Sequence, residues 1–303
     1  MQRKAGRVPS SGHLSRLKPV EIDPLSEYGL PSKGEKRLLS AKTQETYYAK
    51  IAERYLAFCT SAGDRDELQK QFARLAISSP SASTPSPPST ASSSSAPRPP
   101  IPSSNPESDL SHILSALRKL REGIVASKRR DSFATQVYLF AIRLGILVSS
   151  YETYHPALLY LLRVIHPSHS LTSTEYHEVV SYLILDAACR RGDLAEAFAL
   201  RNGHKLKDGK VDGVLRALVR DDWVLWRKMR RSVDGHRAKL MEFAEGQMRG
   251  HTLKAFGRSY LSVSLDYLET ATFSTWQELR EQHGVGWELN GGRVVIRKIQ
   301  GRS

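Results

Sequence analysis

The chain has 303 residues, of which 40% are hydrophobic, so it is long enough for one or two domains with a sizeable core, and no apolar run reaches the roughly 18 residues of a membrane span. Its two cysteines, Cys59 and Cys189, form no CxxC spacing, which argues against a disulfide framework and favours a reducing compartment. The formal net charge of +14 favours anionic partners, among them RNA, DNA and acidic protein surfaces, without choosing between them.

Residues 1–40 are predicted to form a disordered basic tail. The first twenty residues contain five Arg or Lys and no acid, a composition typical of a mitochondrial transit peptide. The amphipathic helix that import requires would be interrupted by Gly6, Pro9, Gly12 and Pro19. We therefore expect a cytoplasmic or nuclear protein, with mitochondrial import as the open alternative.

Residues 41–77 are predicted to form a helical hairpin arm, followed by a disordered linker at 78–106. The first helix of the arm carries an apolar stripe at four-residue spacing, formed by Tyr47, Ile51, Tyr55 and Cys59. A second helix at 64–77 has a similar stripe. The pair cannot bury both stripes alone, so we expect the arm to dock on the main body or on a partner. The linker has 12 Ser and 9 Pro among 29 residues, too little apolar surface to offset the entropy of ordering.

Residues 107–248 have the pattern of successive helices and are predicted to form a helical body. The stretch 133–148 is apolar on almost every side, which places it near the centre. Pro156 is expected in the first turn of the next helix, and Thr172 with Glu175 forms a capping box that opens another. Short joints indicate antiparallel helix pairs, without a strict period of about 34 residues. The predicted fold class is therefore mostly α, with a tetratricopeptide-like helical-repeat stack.

Residues 249–303 change character, and we expect a C-terminal winged helix with a small β-hairpin there. A helix near 240–260 is followed by a short extended break, two short helices and two β-prone runs at 285–289 and 293–299. The turn Asn290-Gly291 between such runs is a strong hairpin signal. Helix, short strand, helix, helix and hairpin is the element order of a winged helix.

Four stretches resemble the packing pattern of the PCI superfamily, named for the proteasome lid, the signalosome and translation initiation factor three. They are 176–190 with the turn at 192–194, 215–223 (LRALVRDDW), 248–256 (MRGHTLKAF) and 262–268 (SVSLDYL). The chain is most similar to the short branch that includes the small subunits of the proteasome lid and the signalosome, initiation-factor-three subunit k and GANP-type mRNA-export scaffolds. The resemblance covers about residues 109–299. It implies a scaffold subunit that mediates protein–protein assembly in a multisubunit complex.

No catalytic, cofactor or metal motif stands out, and we expect a protein without enzymatic activity, cofactor or bound metal. The turn from Gly203 to Lys210 lacks the spacing and the Ser/Thr of a phosphate-binding loop. His177-Glu178 lacks the second His of a zinc-protease helix. Three further histidines cluster in the sequence without Cys or carboxylate at ligand spacing, namely His155, His166 and His169.

Basic residues are the candidate nucleic-acid contacts, because Arg side chains bind phosphates bidentately and Lys adds charge. On the predicted wing these are Arg293, Arg297 and Lys298; at the end of a predicted helix they are Arg227, Lys228, Arg230 and Arg231. The helix-end group also complements the helix dipole, so a solvated or acidic-partner-facing surface is the alternative interpretation.

Aromatic residues near the C-terminus are the candidate partner interface, because aromatic side chains dominate interface hot spots. They are Trp223, Trp226, Tyr267, Phe273, Trp276 and Trp287. Core packing is the alternative for the tryptophans. The predicted partners are other subunits of a protein complex, with RNA or DNA as the alternative and no membrane.

Overall fold

The computed structural model describes residues 25–61 and 106–297, which are mostly helical with one small antiparallel sheet. The helices are α1 (Ala41–Ser61), α2 (Pro106–Ala126), α3 (Ser132–Leu147), α4 (Tyr151–Tyr160), α5 (Ser173–Leu185), α6 (Leu194–Gly203), α7 (Gly209–Arg220), α8 (Trp223–Ser232), α9 (Gly235–Met241), α10 (Glu245–Ser259), α11 (Leu265–Thr272) and α12 (Trp276–Glu281). The strands are β1 (Ser262–Ser264), β2 (Glu288–Asn290) and β3 (Arg293–Val295). The mainly α class is confirmed. The second helix of the predicted arm, the linker before Pro106 and the first 24 residues lie outside the described residues.

The segment 25–40 differs from the disordered tail predicted for residues 1–40. It forms two short 3-10 turns, and its buried apolar side chains are Leu25, Tyr28 and Leu38. The Tyr47 hydroxyl donates a 2.8 Å hydrogen bond to the Leu25 carbonyl. The segment has no helical period, so its order comes from packing on α1 and α2, which a local sequence pattern does not reveal.

Helix α1 lies against α2, so the first helix of the predicted arm belongs to the core of the body. The apolar residues that it buries are Tyr47, Ile51 and Phe58. Gln44 is buried among them, and its amide group donates to the Leu38 carbonyl at 2.8 Å. Arg54 also pairs with Asp109 of α2 at 2.6 Å. Apolar burial and a satisfied polar group together fix α1 in place.

Helix α3 packs against α2 and α4 and is buried on several sides, as its composition predicts. Gly145 permits the close approach of α4, because an added Cβ would lie 3.0 Å from the Tyr154 Cβ. Helix α4 begins at Tyr151, so Pro156 stands inside the helix and not in its first turn as predicted. Pro156 is exposed, where the absence of its N–H leaves a carbonyl that water can satisfy.

Side-chain caps fix the helix starts in the body. The capping box predicted at Thr172 is present: its Oγ1 accepts from the Glu175 N–H, and the Glu175 carboxylate accepts from the Thr172 N–H at 3.0 Å. Aspartates cap the next four helices, and they are Asp193, Asp208, Asp222 and Asp234. One continuous apolar cluster runs through these helices from Leu25 to Met248.

A second, smaller core lies in the C-terminal part of the described chain. Its buried residues are Phe256, Val263, Leu268, Ala271, Leu279 and Val294. The sheet order is β1-β3-β2, with Val294 opposite Val263 on one side and opposite Leu289 on the other. Positive φ angles of 54° and 81° at Gly291 and Gly292 turn the β2–β3 hairpin. Helix, strand, helix, helix and hairpin follow in the predicted order, and the predicted boundary after residue 248 falls inside α10.

Candidate interaction surface

Helix α8 divides its side chains between the core and solvent. Trp226 is 1% exposed and belongs to the main core, which corrects its prediction as a partner contact. Its indole N–H has no hydrogen-bond partner among the described residues. On the other side of the helix Lys228 and Arg231 are exposed, while Arg227 is half-buried. One face of the helix is therefore anchored in the core of the body, and the other presents cations.

Aromatic rings connect α8 to the C-terminal module. The Trp223 ring lies 5.9 Å from that of Tyr267 in an edge-on arrangement and 6.3 Å from that of Phe256. Phe256 in turn lies 5.3 Å from Tyr260. Tyr260 and Tyr267 are 45% and 42% exposed, so the cluster begins in the small core and ends at the surface. Edge-to-face contacts of this kind fix ring orientation beyond what area burial gives.

Phe273 lies between the aromatic cluster and the cations of α8. The Arg227 guanidinium is 5.4 Å from the Phe273 ring centre and 5.9 Å from that of Trp223, both within cation–π range. The Arg230 guanidinium is 5.6 Å from the Phe273 ring centre. Phe273 has a φ of 54°, which is strained for a bulky residue, and 38% of its surface is exposed. Such strain persists only where the surroundings fix the residue.

Arg230 is engaged within the protein. It forms ion pairs with Glu245 of α10 and, at 3.7 Å, with Glu242. Burial lowers the pKa of Arg230 from its usual value, while Glu242 acts in the opposite direction. A phosphate would have to compete with both carboxylates for this guanidinium. Of the predicted α8 contacts, Arg227, Lys228 and Arg231 therefore stay the accessible ones.

The wing carries the other predicted cations. Arg293 and Arg297 are exposed, and the alternate residue Val294 is fully buried, as strand alternation predicts. Arg293 donates a long, 3.4 Å hydrogen bond to the Ser262 hydroxyl, and Arg297 donates to the Arg258 carbonyl. Both arginines thus rest on neighbouring backbone or hydroxyl groups without an acidic partner among the described residues. Lys298 lies outside the described residues.

Trp276 and Trp287 are half-buried and pack against the small core. The Trp276 backbone N–H donates to the Glu269 carboxylate at 2.7 Å, which holds the start of α12 against α11. The Trp287 ring lies over α10, where a Cβ added at Gly257 would be 3.7 Å away. Of the predicted aromatic interface residues, Trp223, Tyr267 and Phe273 reach the surface together, whereas these two serve mainly as anchors.

Sequence reasoning missed three exposed apolar residues of the same region. Tyr260, Leu261 and Leu289 are 45%, 49% and 40% exposed. Tyr260 follows Phe256 by four residues, directly after the end of α10, and this spacing could have extended the aromatic stripe. All three residues of β2 are exposed, and within the described part of the chain β2 pairs with β3 along one side. In the described sheet β2 is therefore an edge strand with Leu289 at its middle.

A buried ionic cluster lies in the body, where α5 continues into a π-helical turn, Asp186–Arg190. Asp186 is fully buried and accepts hydrogen bonds from the Tyr154 hydroxyl at 2.6 Å and from Arg190 at 2.6 and 2.9 Å. His155 lies 3.0 Å from the same carboxylate. Burial alone would raise the pKa of Asp186, but Arg190 and Tyr154 hold it below its usual value. The contacts tie α4 to α5, which is a structural role.

The other two histidines of the sequence cluster, His166 and His169, lie in different surroundings. His166 accepts from the Leu171 N–H at 3.1 Å and stacks on Tyr176, and His169 is exposed. In the part of the chain that the structure describes, no three His, Cys, Asp or Glu residues are grouped to hold a metal ion. The Gly203–Lys210 turn ends in the Asp208 cap of α7.

No described helix combines the length and the apolar character needed to cross a membrane. Neither a protein-family model nor a curated protein sequence matches the chain.

Proposed function

We propose that the protein is a non-enzymatic, PCI-like scaffold subunit whose C-terminal module is a winged helix that joins it to other subunits of a complex. One observation supports this most directly: a helix–strand–helix–helix–hairpin unit is joined to the helical body through α10 and packs against Trp223 of α8. Together with the stretches that resemble the PCI superfamily, it favours a complex of the proteasome-lid, signalosome, initiation-factor or mRNA-export type in the cytoplasm or nucleus.

The outer edge of β2 at Leu289 is the proposed attachment point. A partner strand could add beside Leu289, on the side of β2 away from β3. The exposed Leu289 would then be covered, because it lies on this edge strand. Main-chain pairing supplies affinity, and the side chains along the strand supply specificity. A second contact is the aromatic surface beside α8 that is formed by Trp223, Tyr267 and Phe273. Aromatic side chains of this kind are typical of interface hot spots.

Leu289→Lys tests this proposal. A lysine in the middle of an edge strand opposes the addition of a partner strand. Leu289 is exposed, so a lysine side chain fits there without disrupting the fold. In tagged purification from native lysate, the wild-type chain should recover a fixed set of polypeptides at high apparent mass, before and after nuclease. The variant should recover at most about a tenth as much, a loss of the size expected for a hot-spot residue.

Val125→Lys is the matched control, because Val125 is 46% exposed but lies on α2 of the body. It should purify with the complete set of subunits. A chain that elutes alone, or a Leu289→Lys variant that keeps every subunit, would reject edge pairing as the means of assembly.

The second candidate function is an RNA- or DNA-binding adaptor. The observation in its favour is that Arg227 lies within cation–π range of the exposed Phe273, beside the exposed Lys228 and Arg231. Aromatic faces stack on bases and cations bind phosphates. In filter binding with single-stranded RNA, affinity should fall steeply with salt. The triple variant R227A/K228A/R231A should reduce the slope of log K against log salt by about two, because each phosphate contact on a single strand contributes about 0.7. An unchanged slope would reject these contacts.

A further inference from the structure

A groove between α6 and α7 lies outside the surfaces described so far. It has a volume of about 320 Å³ and is lined by Phe198, Arg201, Asp212, Arg216, Val219 and Arg220. The four α7 residues follow a helical spacing and form the outer stripe of that helix. The inner stripe, with Val211, Val214, Leu215 and Leu218, is buried in the main core. The body therefore holds the groove in place on a rigid helix.

Two exposed apolar side chains line the groove. Phe198 of α6 is 38% exposed and Val219 of α7 is 55% exposed. Single exposed apolar residues are ordinary on a protein surface. Two of them lining one groove provide a place where an apolar side chain of a partner could be buried.

The charges of the groove are unequal along its length. At one end Arg201 forms a paired contact with Asp212, with one N–O distance of 2.8 Å, so this end is close to neutral. Further along α7, Arg216 and Arg220 are exposed, and neither forms an ion pair with an acidic residue in the described part of the chain. The groove thus has two exposed arginines beside two exposed apolar side chains.

The acidic residues that follow α7 are occupied elsewhere. Asp221 contacts His251, and Asp222 accepts the Leu225 N–H as the cap of α8. Because both carboxylates are engaged in these contacts, neither is placed to neutralise Arg216 or Arg220. Complementarity therefore requires carboxylates from outside the described part of the chain.

We infer that this groove docks an acidic peptide segment of a partner protein, with an apolar side chain between Phe198 and Val219 and carboxylates on Arg216 and Arg220. A nucleic-acid backbone would satisfy the arginines but would leave Phe198 and Val219 facing water. The inference does not depend on the winged-helix proposal, because the groove belongs to the helical body and uses none of the β2 edge.

The experiment is a selection from a random-peptide display library on the intact chain, followed by fluorescence anisotropy with the most enriched peptide. Enriched peptides should be acidic and share a large apolar residue. The variant R216E/R220E should bind the peptide at least about tenfold more weakly, since like charges replace the complementary ones. Phe198→Ser should weaken binding to a similar degree while leaving its salt dependence unchanged. Circular dichroism and thermal unfolding of each variant would verify that the fold is kept.

Arg163→Glu is the matched control, because Arg163 is exposed on a different element and lines none of the groove. It should leave peptide affinity within about twofold, as expected for a charge outside the interface. The inference is overturned by a lack of peptide enrichment, by enriched peptides without acidic bias, or by equal loss in R216E/R220E and Arg163→Glu. Preferential binding of oligouridylate RNA at this groove would also overturn it. Leu289→Lys should bind the peptide normally, so failure here and failure of the proposed function are distinguishable.

Discussion

Replacing Asp186 by Ala removes the acceptor at the centre of the buried contact between α4 and α5. The carboxylate is fully buried and accepts from Tyr154 and, through two nitrogens, from Arg190. Breaking a buried pair by removing one partner costs about 3–5 kcal/mol. The Arg190 side chain is 20% exposed and can partly rehydrate, so we expect about 3 kcal/mol, near the lower end of that range.

Urea unfolding followed by far-ultraviolet circular dichroism measures this loss directly. A destabilisation of about 3 kcal/mol should also lower Tm by roughly 6–12 °C for a folded region of this size. Glu196→Ala is the control: its carboxylate pairs with Arg191 at the surface, and we expect a change below about 1 kcal/mol. If Asp186→Ala also changed the free energy of unfolding by less than about 1 kcal/mol, the buried carboxylate would not stabilise the fold as its contacts imply.

The same carboxylate should produce a pH dependence of stability. Its pKa in the folded chain lies below the ordinary value, so the folded state binds this proton more weakly than the unfolded state. The contribution is therefore complete above the unfolded pKa of about 3.9 and is lost as pH falls through the lower, folded pKa. In wild-type protein the free energy of unfolding should drop more steeply below about pH 4 than in Asp186→Asn. Parallel curves would contradict the assignment.

Two further changes test the packing. Gly123→Ala should destabilise the chain by about 1–3 kcal/mol in urea, because an added Cβ would lie 2.8 Å from the Leu38 carbonyl oxygen, whereas Gly250→Ala, with open space around it, should be neutral or slightly stabilising. If the two substitutions changed the free energy of unfolding equally, the segment 25–40 would not pack closely against α2. Thr275→Ala should cost about 1 kcal/mol through loss of the capping box with Glu278, while Thr275→Ser should retain it; the measurement is again urea unfolding, and equal stability of Ala and Ser would dismiss the cap.

Local chemistry made some of this fold predictable. The capping box at Thr172 depends on residues three apart, and the hairpin turn at Asn290-Gly291 depends on neighbours, so both are visible in sequence. The two hairpin strands, Glu288–Asn290 and Arg293–Val295, are shorter than predicted. The length of β3 depends on its pairing with the distant strand β1, which a local pattern does not show. Pro156 was misplaced because the helix start at Tyr151 lacks a side-chain cap hydrogen bond that could mark it.

Contacts between distant segments explain what the sequence could not provide. The order of 25–40 depends on Leu38 meeting α2, far along the chain. In the sequence, Arg230 belongs to a basic run of a kind that is usually exposed. In the structure it forms an ion pair with Glu245 of α10. Trp226 and Trp223 are three residues apart on one helix, but only their packing shows that the first is core and the second extends to the surface. A sequence can suggest candidate contact residues, but whether each is accessible to a partner depends on the tertiary structure.

Helix α10 has its Met248 in the large core and its Phe256 in the small one. A unit with so few buried side chains retains little stability by itself, so it depends on a helix whose first turns are anchored elsewhere. Cutting the chain between residues 248 and 249 would divide that helix and release a fragment unable to fold. Both cores should accordingly unfold in one thermal transition. A partner that binds the hairpin in the folded state would therefore stabilise the helical body as well.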